Sequence, residues 1–179
     1  LSGTIASGVA PKSSMELDNT TLRDLFVNKK IAMYIGGQFD IGPIQEAAPD
    51  IELGTAVIPG PNGMGTSTVN GFSLIVPKTA ERKDAARKLI EFIAEPEHMA
   101  ELTATFPARK SALELPKFAD PLLQPFAEQL DNGKSEPSFD NWTAMEKAIF
   151  KYVQLVILSN KDVGEAVKEL NEEVTAALQ

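Results

Sequence analysis

The sequence has no cysteine, one histidine and one tryptophan among 179 residues. Without cysteine there is no disulfide, thiol nucleophile, iron–sulfur cluster or thiolate zinc site. A single histidine rules out a multi-histidine metal site within one chain. Basic side chains are in deficit: 17 Lys and Arg stand against 25 Asp and Glu, for a formal charge of -8. Nucleic acid is therefore not expected as a partner, because phosphate neutralisation needs clustered cations. Apolar runs are short, and none reaches the roughly 18 residues that a membrane-spanning helix needs. The start, Leu1-Ser2-Gly3-Thr4, lacks a basic n-region, an apolar h-region and an initiator methionine. No signal peptide is expected there, and the chain is expected to be a processed product or an excised piece.

What is present is ordinary globular composition, 43% hydrophobic and 23% charged. It suffices for one domain with a real core, or at most two small ones. Helices are expected over Thr20 to Val27, Phe39 to Ala48, Ala80 to Ala94 with Thr79 as cap, and Pro96 to Thr105. Two longer ones follow. Asn141 to Leu158 carries Trp142, Met145, Ile149, Tyr152 and Val156 on one face. A last helix begins at Asp162 with capping-box spacing and aligns Val163, Val167, Leu170, Val174 and Ala177. Compact apolar runs at Ile31 to Ile35, Leu53 to Ile58 and Gly71 to Val76 read as strands, the last buried on both faces. Four prolines between Pro107 and Pro125 restrict that stretch to loops and short helices. The layout is helix-rich α/β or α+β with about three strands.

Most of the chemistry-bearing residues have plain explanations. Glu81, Asp84, Glu91, Glu169, Glu172 and Glu173 fall on outer helix faces. His98 fits an exposed surface histidine better than a catalytic base. Gly60-Pro61-Asn62-Gly63-Met64-Gly65 lacks the Gly-Lys-Ser/Thr ending of a phosphate loop and reads as a flexible connector. Three places stand out. Gly36-Gly37-Gln38-Phe39-Asp40 combines paired glycines, which admit a ligand close to backbone, with an aromatic and two polar side chains. Thr68-Val69-Asn70-Gly71-Phe72 repeats the combination. Ser138-Phe139-Asp140-Asn141-Trp142 places an indole at a helix N-terminus. Each also has a structural reading, a tight turn with Phe39 in the core or Trp142 as a core anchor. Aromatic faces with Asn, Asp, Gln and backbone groups suit sugars, whose C–H faces stack and whose hydroxyls hydrogen-bond. No nucleophile, catalytic pair, cofactor motif or metal cluster accompanies them, so binding without turnover is expected.

The order of motifs carries a resemblance. "LFVNKKIAMYIGGQFD" resembles the F-x-x-G-K-x-A-M-x-x-x-G-x-W stretch of extracytoplasmic solute-binding proteins of ABC importers, in the carbohydrate-binding (maltose-binding-protein-like) family. "VIPGPNG", "NGFSLIVPKTAERKDAARKLIEFIAEPEHMAEL", "FPARKSAL" and "EPSFDNW" resemble later segments of that family in the same order. Lys29-Lys30 stands where the family has Gly-Lys, and Phe39 where it has Trp. The resemblance runs from about Phe26 to Gln179 and matches only the C-terminal part of these two-lobed proteins.

This resemblance implies a type II periplasmic-binding-protein fold. Residues 1–67 and 108–179 would form the C-terminal lobe. Residues 68–107 would cross the hinge and join the N-terminal lobe, whose body is absent. Phe39 would be the stacking aromatic, flanked by Gly37, Gln38 and Asp40. Asn70, Gly71 and Phe72 would lie at the hinge, and Asp140, Asn141 and Trp142 on another wall. The implied partners are a sugar or polyol, ABC permease subunits, and a missing lobe or oligomeric partner covering residues 73–106. The implied location is extracytoplasmic. Two alternatives are a carbohydrate-active hydrolase using Asp40 and Asp140 about 5–10 Å apart, and a helical protein-interaction module.

Overall fold

The computed structural model describes residues 2–137 and 141–177. Among them the chain runs α1 (Ser2–Ala6), α2 (Asn19–Val27), α3 (Ile41–Ala47), β1 (Pro59–Gly60), β2 (Gly63–Met64) and β3 (Ser67–Thr68). It continues α4 (Lys83–Ile93), α5 (Pro96–Leu102), α6 (Gln124–Asp131), β4 (Gly133–Lys134), α7 (Trp142–Ser159) and α8 (Val163–Ala177). Short 3-10 turns fill the proline-rich stretch at Lys110–Glu114, Pro116–Ala119 and Pro121–Leu123. Pro125 sits in the first turn of the short helix α6, where its missing N–H costs nothing, so the stretch is made of the short helices and loops expected.

Helix ends follow local chemistry. Asp18 Oδ1 accepts the Thr21 N–H at 2.7 Å and caps α2. Pro96 occupies the first turn of α5, as expected. Asn160 takes the left-handed conformation (φ 54°) after α7, and the Lys161 N–H returns to Leu155 O, closing the helix as a Schellman turn does. Asp162 Oδ1 then accepts the Glu165 N–H at 3.0 Å to start α8. The cap expected at Thr79 is not used. Helix α4 begins later, after Arg82, without a side-chain cap. Helix α3 also starts later than expected, because a 3-10 turn at Gln38–Asp40 precedes it.

The apolar runs read as strands do not pair. Ile31 to Ile35, Leu53 to Ile58 and Gly71 to Val76 carry no ladder among the described residues. A strand exists only by exchanging hydrogen bonds with a neighbour, and apolarity supplies none. Gly71 to Val76 was expected to be buried on both faces; instead Phe72, Leu74 and Ile75 are exposed. The strands that do form are two residues long: antiparallel β1–β2 and parallel β3–β4.

The chain divides into two units. The first comprises Leu1–Thr21 and Pro137–Gln179. In it α7 packs on α8 around Ala148, Tyr152 and Ala166, and Met15 is also buried. Ala148 and Ala166 are the most buried residues of their helices. The buried stripe of α7 therefore runs through Ala148 rather than the expected Ile149, which is exposed. On α8, Val163 and Val167 are likewise exposed, while Leu170 and Val174 lie half-buried.

The second unit is Leu22–Glu136. Its core contains Ile41 and Ile44 of α3, Ala100 of α5, and Ala112 and Phe118 of the 3-10 turns. Arg109 Nη1 donates to Ala94 O at the end of α4, and Lys117 Nζ donates to Ala100 O and Thr103 O at the end of α5. Cations there satisfy orphan carbonyls and oppose the helix dipole. The glycine-rich segment is a clamped hairpin, not the flexible connector expected. Gln129 Oε1 accepts the Ile58 N–H at 2.9 Å, and Gln129 Nε2 donates to Gly65 O at 2.7 Å. Asn132 Nδ2 donates to the same carbonyl at 2.8 Å.

Candidate functional site

The segment Gly36 to Asp40 is built around a buried carboxylate. Asp40's side chain is 3% exposed and meets Arg23 Nη1, from α2, at 3.2 Å. That commitment explains why Asp40 stands at the start of α3 yet makes no capping bond with its side chain. The Asp40 N–H donates to Gly37 O at 2.9 Å and closes the 3-10 turn. Tyr34 lies alongside, its ring tilted against Phe26 with centroids 5.6 Å apart. Burial, first of all, pushes the Tyr34 hydroxyl above its ordinary pKa; the Asp40 carboxylate adds to the shift and Arg23 opposes it. The hydroxyl feels that carboxylate but has no partner in hydrogen-bonding geometry among the described residues.

Both glycines leave room for this packing. A Cβ on Gly36 would stand 2.7 Å from Tyr34 Cε2 and 2.8 Å from Asp40 Oδ2. A Cβ on Gly37 would stand 2.2 Å from Phe39 Cε1. The Phe39 ring is therefore seated on the Cα of Gly37 and remains 48% exposed. At each glycine the position a Cβ would take is occupied by one of the protein's own side chains.

Of the remaining expected residues, Gln38 is half-buried within the turn. Asn70, Gly71 and Phe72 lie in the second unit just beyond β3; Phe72 is fully exposed and a Cβ on Gly71 would meet nothing within 4 Å. Trp142 begins α7 in the first unit, and Asn141 Nδ2 there donates to Ala177 O. Asp140 lies outside the described residues. Of the two carboxylates a hydrolase would use, Asp40 is thus committed to Arg23. His98 stacks on Phe92, ring centroids 3.7 Å apart, with Nδ1 2.8 Å from Phe92 O. A shallow depression of about 480 Å³ at the start of α4, lined by Val76, Lys78, Lys83, Arg87 and Ile90 among others, includes none of the expected site residues.

Sequence reasoning missed Arg23 and Tyr34. Arg23 is 17 residues from Asp40, on a different helix, and no periodicity links such a pair. Among the described residues no helix is long and apolar enough to cross a membrane.

The chain is 29% identical to the sugar-binding protein MalE of Xanthomonas citri, with a TM-score of 0.80, covering 99% of this chain and 46% of that one. It matches the maltose–maltodextrin binding protein of Alicyclobacillus acidocaldarius with a TM-score of 0.75 at 21% identity, over 88% of this chain and 44% of that one. Binding proteins of Brucella abortus and Brucella suis are 24% identical over 164 residues. The chain spans 40% of their length. The fold is that of MalE-type periplasmic binding proteins, helix-rich with few strands. The bacterial extracellular solute-binding protein model matches residues 6–125. With well over half of its residues matched, the chain belongs to the bacterial extracellular solute-binding protein family.

Proposed function

We propose that this chain is part of the substrate-binding component of an ABC importer. It binds a carbohydrate or related polyhydroxylated solute in the cleft of the complete receptor and delivers it to a membrane permease outside the cytoplasm. The observation that carries this reading is the half-exposed Phe39 ring seated on Gly37. It offers an apolar face to the C–H surface of a sugar. The family match and the 29% identity to a protein described as sugar-binding support the same solute class. Gln38, Asn70, Gly71 and Phe72 supply further contacts, with Asn141, Trp142 and Asp140 as a separate group. Hinge closure of the lobes would trap the solute and present the permease with a closed form. Binding and release need no bond-making, so no catalytic residue or cofactor is assigned. A calorimetric titration of the complete receptor with mono- and oligosaccharides and polyols tests this. Micromolar-range binding of at least one is expected; no binding to any of them refutes it.

In the complete receptor we assign residues 1–67 and 108–179 to the C-terminal lobe and 68–107 to the N-terminal lobe. The exposure of Phe72, Leu74, Ile75 and Leu89 supports this assignment, since apolar side chains in that density belong against a partner surface. Amide exchange of residues 71–76 should slow when the rest of the receptor is supplied. Equal exchange in its presence and absence would refute the division.

A further inference from the structure

Asp40 is the one buried carboxylate among the described residues, and solute binding as outlined above gives it no role. We propose that Asp40 is a positioning residue: held by Arg23 and packed against Gly36 and Tyr34, its carboxylate fixes the Gly36–Phe39 turn so that the Phe39 ring stays on Gly37. This inference rests on the reading of Phe39 as the stacking aromatic.

Asp40 follows Phe39 directly and closes the same 3-10 turn through its N–H to Gly37 O. Its side chain reaches the other way, to Arg23 on α2. The turn is thus tied at its far end to a helix 17 residues earlier in the chain. At its near end, a Cβ on Gly36 would press against Asp40 Oδ2 and the Tyr34 ring. The Phe39 ring, by contrast, is about half exposed and lies over Gly37. An aromatic in so open a setting keeps one orientation only if its backbone is fixed from elsewhere. A ring already fixed spends less ordering entropy when a solute stacks on it. At 3% exposure the Asp40 carboxylate offers a solute almost no surface, which favours action through Phe39 over direct contact.

Two measurements test this. The first needs no solute. In proton NMR of the full chain, the Phe39 ring should shift the Gly37 Hα signals upfield, and Phe39→Leu should abolish the shift. Asp40→Asn keeps the shape of the side chain and removes its charge; Arg23→Gln, at a partly exposed position, removes only the partner. Both should move the Gly37 Hα signals towards their Phe39→Leu positions while amide shifts away from residues 34–41 hold, and Arg23→Lys should largely restore them. Unchanged Gly37 Hα shifts in both Asp40→Asn and Arg23→Gln would overturn the proposal, and a purely stabilising role would give that result. The second measurement is the affinity of the complete receptor for maltose as probe. Phe39→Ala should weaken it about tenfold, equivalent to ~1.4 kcal/mol. Asp40→Asn should weaken it severalfold alone and add nothing in the Phe39→Ala background. Additive losses would overturn positioning in favour of direct contact. If Phe39→Ala leaves maltose affinity unchanged, the stacking reading of Phe39 falls, while the NMR result still decides what Asp40 does to the turn.

Discussion

Replacing Gln129 with Met should loosen the β1–β2 hairpin by an amount the hydrogen bonds define. The change keeps length and apolar volume, so packing loss is small. Two hydrogen bonds disappear, from the Ile58 N–H and to Gly65 O. The two losses differ in kind. Gly65 O keeps Asn132 Nδ2 at 2.8 Å, so it costs only the net worth of one bond, about 1 kcal/mol. The Ile58 N–H has no second acceptor among the described residues and is left half-buried, at about 1–2 kcal/mol. The sum is about 2–3 kcal/mol, which with a urea slope of about 2 kcal/mol/M lowers the midpoint by ~1 M. Asn132→Ala alone should cost about 1 kcal/mol, because Gln129 still serves Gly65 O. The double variant orphans that carbonyl too, so its cost should exceed the sum of the singles by about 0.5 kcal/mol or more. Urea titrations of the four proteins, with amide exchange at Ile58 as the local readout, provide the check. A Gln129→Met cost under about 0.5 kcal/mol, or strict additivity in the double variant, would refute the clamp.

Gly133→Ala places a Cβ 2.1 Å from Val69 Cγ2 and should cost about 1–3 kcal/mol in denaturant, with partial recovery in Val69→Ala. Asp18's pKa is lowered from 3.8, first by the Thr21 N–H and then by the Thr21 side chain. Its contribution to α2 is therefore present above that pH and lost as pH falls below it, so Asp18→Ala should flatten the acid limb of a stability–pH curve. Asp162→Ala should cost about 1 kcal/mol through the lost cap of α8, readable as a lower urea midpoint. Lys151 and Glu173 pair at 2.8 Å on an exposed surface, and a double-mutant cycle there should give a coupling near zero at 0.15 M salt.

The helices were legible because their signals are local. Pro96 and Asp162 each mark a start within the few residues that define it. The family was legible for a different reason: the motif order constrains many positions at once even where each motif is loose. The strands were not legible, because Ile31 to Ile35 and Gly71 to Val76 have strand composition without strand neighbours. Helix faces were read to within one position. The buried positions are Ala148 and Ala166, each one residue before the more apolar Ile149 and Val167, which are exposed. At the candidate site Phe39 and Gly37 were identified as residues of interest, but the reason for Gly37 was not. The glycine serves Phe39's own ring. Arg23 was invisible, since an ion pair across 17 residues leaves no trace in spacing.

The hairpin clamp has a practical consequence. Gln129 and Asn132 grip its base, at Ile58, Met64 and Gly65, while the side chains of Pro61 and Asn62 at its tip are exposed. The base fixes the register, so the tip is free to lengthen, and longer loops cost only slowly more closure entropy. Between Pro61 and Asn62 the chain should accept an inserted epitope or a reporter fluorophore without disturbing either the clamp or the Gly36–Asp40 turn.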